Sequence, residues 1–80
     1  MFITAELSLY PLCEGYGKRI NEFLHRLNRY NNIEIQTTIM STTISGSYED
    51  IMSVLTKEIK PVFEKHDAVF TIKIANACGI

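Results

Sequence analysis

Apolar and polar residues alternate with a period of two in two stretches of the chain, as they do in half-buried strands. The stretches are residues 2–10 (FITAELSLY) and residues 40–46 (MSTTISG). Pro11 ends the first one, because proline has no backbone N–H to donate to a strand ladder. Most polar members of the two stretches are small hydroxyl side chains rather than long charged ones. A sheet face of this kind offers hydrogen bonds to a small polar ligand or to a partner sheet.

In two other stretches, the apolar residues recur with the period of an α-helix. The first, from about residue 17 to residue 30, has an apolar stripe made of Ile20, Phe23, Leu24 and Leu27. Asn31 and Asn32 predict its end, because asparagine tolerates the left-handed conformation. The second helix follows Ser47, a predicted N-cap, with Asp50 three residues later. Pro61 lies inside its apolar pattern and predicts a kink or an irregular last turn.

Two further strands are predicted over residues 33–36 and 68–75, with a turn near residues 38–40 and a third strand that ends near Gly46. The order is βαββαβ, and right-handed crossovers put both helices on one face of a four-stranded antiparallel sheet. The predicted fold class is therefore α+β, a ferredoxin-like plait. The uncovered face of the sheet would carry Phe2, Thr4, Glu6, Ser8, Tyr10, Ser41, Thr43, Ser45, Val69, Thr71 and Lys73.

Size and charge narrow the class of protein. At 80 residues, a single domain spanning residues 1–80 buries a modest fraction of its surface, so we expect it to form oligomers. A net charge of −1 argues against binding to nucleic acid or to anionic membranes. The start of the chain lacks the basic segment of a secretory signal, and no apolar run is long enough to span a membrane. We expect a cytoplasmic protein that does not insert into membranes.

Missing motifs exclude several functions that plaits serve. Cys13 and Cys78 form no CxxC pair for copper, and two cysteines are too few for an iron–sulfur cluster. In the cytoplasm we expect both to be reduced thiols. RNA-binding plaits need stacking aromatics on the central strands, where this chain offers only Tyr10 near an end. The sequence predicts no metal, no cofactor and no nucleic-acid partner.

Three segments together resemble a known family. Residues 5–12 (AELSLYPL), 40–46 (MSTTISG) and 73–78 (KIANAC) are similar to the YkoF-type thiamine/hydroxymethylpyrimidine-binding family, and the similarity covers essentially the whole chain. The resemblance implies a non-enzymatic protein that binds thiamine or its hydroxymethylpyrimidine moiety in vitamin salvage or transport. Because the chain is a single repeat, it also implies a homo-oligomer, either a homodimer or a homotetramer.

The matching segments supply seven candidate ligand-binding residues: Glu6, Ser8, Tyr10, Ser41, Thr42, Thr43 and Asn76. The hydroxyl groups both donate and accept hydrogen bonds, as an aminopyrimidine requires. Glu6 would accept from the exocyclic amine or balance the thiazolium cation. Tyr10 would stack on a ring or cover the cation, and Asn76 would bind a pyrimidine edge through its amide.

Other interpretations stay open at this point. Glu6 could form a cross-strand salt bridge with Lys73 instead of binding a ligand. The domain could be an ACT-like regulatory or assembly module that senses a metabolite and dimerises through its open sheet face. A cofactor-free enzyme would need a poised acid–base pair in a pocket, and no histidine lies near Glu6 in the strand pattern. We therefore expect no catalytic residues.

Overall fold

The predicted order of strands and helices is present in the computed structural model, which describes residues 1–77. Its elements are β1 (Phe2–Pro11), α1 (Tyr16–Leu27), β2 (Glu34–Thr37), β3 (Thr42–Ser47), α2 (Tyr48–Lys65) and β4 (Ala68–Ala75). The strands pair antiparallel in the order β2-β3-β1-β4. The predicted ferredoxin-like α+β plait is confirmed. The predicted thiol of Cys78 lies outside the described residues.

The core forms where one face of the sheet meets the two helices. Alternate residues of β1, namely Ile3, Ala5 and Leu7, are buried there, as their period of two predicts. They pack with Ile44 of β3 and with a set from the helices that comprises Phe23, Leu27, Ile51, Val54, Leu55 and Val62. Burying one such large apolar side chain stabilises a fold by about 1.5–3 kcal/mol.

The first helix ends earlier than the sequence predicted. It stops at Leu27, and Asn28 is its C-cap, whereas Asn31 and Asn32 were the expected end. After Asn28 the bonding changes from the α-helical pattern to the tighter i→i−3 pattern: the N–H groups of Arg29 and Tyr30 donate to the carbonyls of Arg26 and Leu27, at 3.2 and 3.1 Å. The side-chain amide of Asn28 also donates to the carbonyl oxygen of Leu24 at 2.8 Å. The chain therefore leaves the helical path one turn early.

The third strand begins later than the alternating pattern predicted. Met40 and Ser41 belong to the β2–β3 turn, and β3 starts at Thr42. Thr38 closes this turn, because its N–H donates to the Ser41 carbonyl at 2.9 Å and its hydroxyl oxygen accepts from the N–H of Met40. The predicted position of the turn near residues 38–40 is confirmed.

The second helix begins where its predicted N-cap places it. The hydroxyl oxygen of Ser47 accepts a hydrogen bond from the N–H of Asp50 at 3.1 Å, which confirms the predicted N-cap. Pro61 lies inside α2, which continues to Lys65.

Among the described residues, neither helix has the length and hydrophobicity needed to cross a bilayer.

Candidate functional site

A cleft of about 350 Å³ opens at the end of the sheet where β1 finishes. Three elements form its walls: the last residues of β1, the first three turns of α1, and the β2–β3 turn. α1 begins at Tyr16, directly after Gly15, whose φ of 72° lies in the left-handed region that glycine adopts without strain. This sharp entry lets α1 turn back over the end of β1 and form one wall of the cleft.

The cleft exists because β1 is longer than one of its partners. β1 pairs with β4 from Thr4 to Pro11, but it pairs with β3 only from Phe2 to Leu7. Beyond Leu7, the edge of β1 that faces the β2–β3 turn therefore has no strand partner among the described residues. Backbone N–H and C=O groups are obligatory hydrogen-bonding groups, so this edge offers donors and acceptors to a ligand.

The floor of the cleft is apolar and well supported. It is made of Leu7, Leu9, Ile20, Phe23 and Leu24. The ring of Phe23 packs edge to face against Phe70 of β4, with the ring centroids 5.2 Å apart. A floor of this kind suits a flat ring that is largely apolar on both faces.

The β2–β3 turn forms the opposite wall. Its tip carries two apolar side chains, Ile39 and Met40, which are 101% and 83% exposed. One hydrogen bond joins the turn to β1: the Ser8 hydroxyl donates to the Met40 carbonyl at 3.4 Å. This distance is longer than a typical bond between such groups, so a ligand would displace it at little cost.

The lining of the cleft carries no ionisable acid or base among the described residues apart from tyrosine. Tyr10 and Tyr16 place phenol groups at the walls, and both side chains are exposed. An ionised ligand group taken into the cleft would lose water without gaining an opposite charge, which is costly. The cleft is therefore suited to a neutral ligand with polar edges.

The structure brings four of the seven predicted ligand residues together. Ser8, Tyr10, Ser41 and Thr42 all line the cleft. Thr42 is buried, and the other three are at least partly accessible. These four come from two segments that are far apart in sequence, and the end of β1 meets the end of the β2–β3 turn only in the folded chain.

The other three predicted residues lie away from the cleft. Glu6 and Thr43 are direct cross-strand neighbours on the uncovered face of the sheet. The Nζ atom of Lys73 lies 3.9 Å from Oε1 of Glu6, which is the salt bridge that the sequence left as an alternative. Asn76 follows Ala75, which pairs with Thr4, so it lies at the opposite end of the sheet. One cleft cannot use all seven residues of the same chain.

The sequence reasoning missed several residues of the cleft. Phe23 was assigned only to the apolar stripe of α1, and neither Tyr16 nor Met40 was among the candidate residues. Ile39 was not considered. A usable signal was present, because a turn that exposes two large apolar side chains is unusual for a segment normally rich in polar residues. Adjacent apolar residues at a turn indicate a surface that contacts something else.

Comparison with solved structures identifies chains with the same fold. Protein SP2199 from Streptococcus pneumoniae superposes with a TM-score of 0.87 at 18% identity, over 96% of this chain and 88% of that one. A candidate thiamine biosynthesis/salvage protein from Thermotoga maritima gives 0.84 at 15% identity, over 96% and 85%. The domain of unknown function DUF77 from Bacillus cereus gives 0.80 at 14%, over 96% and 77%.

These likenesses show the fold alone, because the sequence identities are low. No family model matches the chain, and no curated protein matches it. The chain is thus similar in structure to small ferredoxin-like proteins.

Proposed function

We propose that this protein is a non-enzymatic binding protein whose cleft takes hydroxymethylpyrimidine, either free or as part of thiamine, in vitamin salvage or transport. The observation that carries the proposal is the uncharged cleft in which the unpaired edge of β1 faces an apolar floor. The similarity of its sequence motifs to the YkoF-type family supports it. The fold that it shares with a candidate thiamine salvage protein from Thermotoga maritima is consistent with it.

The pyrimidine ring lies on the apolar floor in this proposal. Its amino group and ring nitrogens have donors and acceptors that match the free backbone edge of β1 and the hydroxyls of Ser8 and Ser41. Tyr10 and Tyr16 at the walls stack on the ring or cover the positive thiazolium of thiamine. Glu6, Thr43 and Asn76 take no part, because they lie outside the cleft.

The lack of charge in the lining determines the preferred form of the ligand. A phosphate ester brings at least one negative charge, and no described lining residue is a lysine or an arginine. We therefore expect the order of affinity to be the neutral pyrimidine, then thiamine, then the phosphate esters of both.

Calorimetric titration of the purified chain with hydroxymethylpyrimidine, thiamine and thiamine phosphate tests the proposal. Saturable binding in the order given above is the expected result. Ser8→Ala removes one hydroxyl of the cleft, so its affinity should fall by about threefold to tenfold. Glu6→Gln is the matched control on the same strand, and it should bind as the unchanged protein does.

Two results would contradict this assignment. If none of the three compounds gives a binding signal with protein that is folded by circular dichroism, hydroxymethylpyrimidine and thiamine are excluded as ligands. Equal losses of affinity in Ser8→Ala and Glu6→Gln would remove the cleft as the site.

One observation favours a second function. The uncovered sheet face leaves Phe2, Tyr10 and Val69 about half exposed beside its hydroxyl groups. Such a face fits the ACT-like regulatory or assembly module, in which it would pack against a partner sheet. Flat titrations together with an oligomer that dissociates on Thr43→Lys, at the centre of this face, would favour that function.

A further inference from the structure

A second concave surface lies between α2 and β4, and none of its residues belongs to the ligand cleft. It is an apolar groove of about 570 Å³. Phe63, Ile72 and Ile74 line it and are 54%, 38% and 48% exposed. Three large apolar side chains left half open on one side of so small a domain mark a surface that is covered by something else.

The same side of the molecule ends in an unprotected strand. β4 is the outermost strand of the sheet, and among the described residues it pairs only with β1. It has eight residues, of which Lys73 alone is charged. The opposite edge, β2, has four residues and exposes Glu34 and Gln36. Long apolar edges pair with other strands unless they are protected, so β4 is the edge available for pairing.

The charges along the groove are self-complementary. Lys60 and Glu64 lie one helical turn apart on α2 and both line the groove. When two copies of a helix run antiparallel about a two-fold axis, a position on one helix faces a different position on the other. If the two-fold axis passes midway between residues 60 and 64, Lys60 of each copy lies opposite the partner's Glu64. Two opposite-charge pairs therefore form.

We propose that the occupant of this groove is a second copy of the chain. β4 pairs antiparallel with β4 of the other copy about a two-fold axis, which extends the sheet to eight strands. The two grooves then merge above the joint, where Phe63, Ile72 and Ile74 are covered by their equivalents. Lys60 of one copy lies opposite the partner's Glu64, and the reverse pair forms on the other side of the axis.

This interface would supply the homo-oligomer that the resemblance implies, but it is tested separately from the proposed function. The ligand cleft is formed within one chain, so titration reports on the cleft while mass in solution reports on the groove. A negative result for the cleft therefore does not affect the interpretation of the mass in solution, and a negative result for the groove does not affect that of the titration.

Sedimentation equilibrium of the full chain over a range of concentrations tests the interface. The unchanged protein should be a dimer or a dimer-based tetramer. Ile74→Asp places two carboxylates in the joint and should raise the dimer dissociation constant about a hundredfold. Lys60→Glu alone, or Glu64→Lys alone, should raise it about tenfold, because two attractions become two repulsions.

The double variant Lys60→Glu/Glu64→Lys is the decisive member of the set. It restores both opposite-charge pairs with their signs exchanged, so its dissociation constant should return close to that of the unchanged protein. Both positions are exposed on α2, and circular dichroism should show that every variant folds.

Three results would overturn the proposal. The unchanged chain could sediment as a monomer at all concentrations. The double variant could be as weak as the single ones. The dimer could instead survive Ile74→Asp and dissociate on Thr43→Lys, which would place the interface on the uncovered sheet face.

Discussion

Glu58 shows at the scale of single residues how the two helices are held together. Its two carboxylate oxygens accept hydrogen bonds from Arg26 Nε at 2.7 Å and from the Tyr30 hydroxyl at 2.6 Å. Its backbone carbonyl accepts a third from Arg26 Nη2 at 3.0 Å. Burial alone would raise the pKa of Glu58, but the hydrogen bonds from Tyr30 and Arg26 outweigh it and hold the pKa below its usual value.

The lowered pKa of Glu58 predicts an acid-sensitive part of the stability. A carboxyl whose pKa is lower in the folded state contributes stability above its unfolded pKa, about 4.3, and loses it as the pH falls through the folded pKa. Glu58→Gln should lower the free energy of unfolding by about 1–3 kcal/mol at pH 7, and by much less near pH 3. Urea unfolding at the two pH values measures both differences.

Glu22→Gln is the control for this prediction. Glu22 pairs with Arg19 at 3.1 Å, but the pair is exposed to solvent, so the urea midpoint should hardly change at either pH. A Glu58→Gln effect of the same size at pH 7 and pH 3 would contradict the role given to the charge of Glu58.

At the scale of elements, the boundary between β3 and α2 depends on one side chain. Ser47 is the last residue of β3 and also the N-cap of α2, so the chain passes from strand to helix without a loop. The N–H of Tyr48 also donates to the carbonyl of Met1 at 2.8 Å, which fixes the start of the helix to the beginning of the chain. A change at Ser47 should therefore affect both elements.

Ser47→Ala should destabilise the fold by about 1 kcal/mol, because it leaves the N–H of Asp50 without its acceptor. Ser53→Ala, an exposed position inside α2, is the matched control and should be neutral or slightly stabilising, since alanine is the better helix former. Thermal unfolding of the two variants at equal concentration measures the difference. Equal melting temperatures would mean that the cap contributes nothing.

The β2–β3 turn is the element that most directly connects the fold with the cleft. The hydroxyl of Thr38 donates to the Ser41 carbonyl at 3.1 Å, and its oxygen accepts from the N–H groups of Met40 and Ser41. Thr38→Val keeps the shape of the side chain but removes these bonds, so the wall of the cleft should loosen. We expect calorimetry to show weaker binding of hydroxymethylpyrimidine, with α2 and the core unchanged by circular dichroism. Unaltered affinity would mean that the turn does not contact the ligand.

At the scale of the whole molecule, the proposed dimer predicts that stability depends on assembly. A domain of 80 residues gains little from its own core, and the proposed interface adds buried apolar surface that the monomer lacks. The melting temperature of a dimer rises with protein concentration, because association stabilises the folded state by mass action. We expect this rise for the unchanged protein and its loss in Ile74→Asp. Thermal scans at a low and a hundredfold higher concentration make the comparison, and a constant melting temperature of the unchanged protein would contradict the interface.

The arrangement of elements was predictable from the sequence because its signals are local. The period of two in β1, the helical stripe that contains Phe23 and Leu27, and the cap at Ser47 each depend on residues close together in the chain. The predicted end of α1 was wrong, because Asn28 rather than Asn31 or Asn32 is the C-cap and the last turn tightens to i→i−3 hydrogen bonds. Ser8, Tyr10, Ser41 and Thr42 were identified as candidates through the resemblance, but not as neighbours of Tyr16 and Met40.

The order and type of the strands and helices, and the side of each that faces the core, follow from the sequence alone. Apolar residues at alternate or helically spaced positions can be buried together only in these elements. Which polar residues share a site depends instead on how distant strands pair in the folded chain. Pairing between β1 and β3 stops at Leu7, and this mismatch opens the cleft and separates Ser8 from Glu6. Register between distant strands depends on the combined packing of the whole sheet, so no local pattern in the chain contains it.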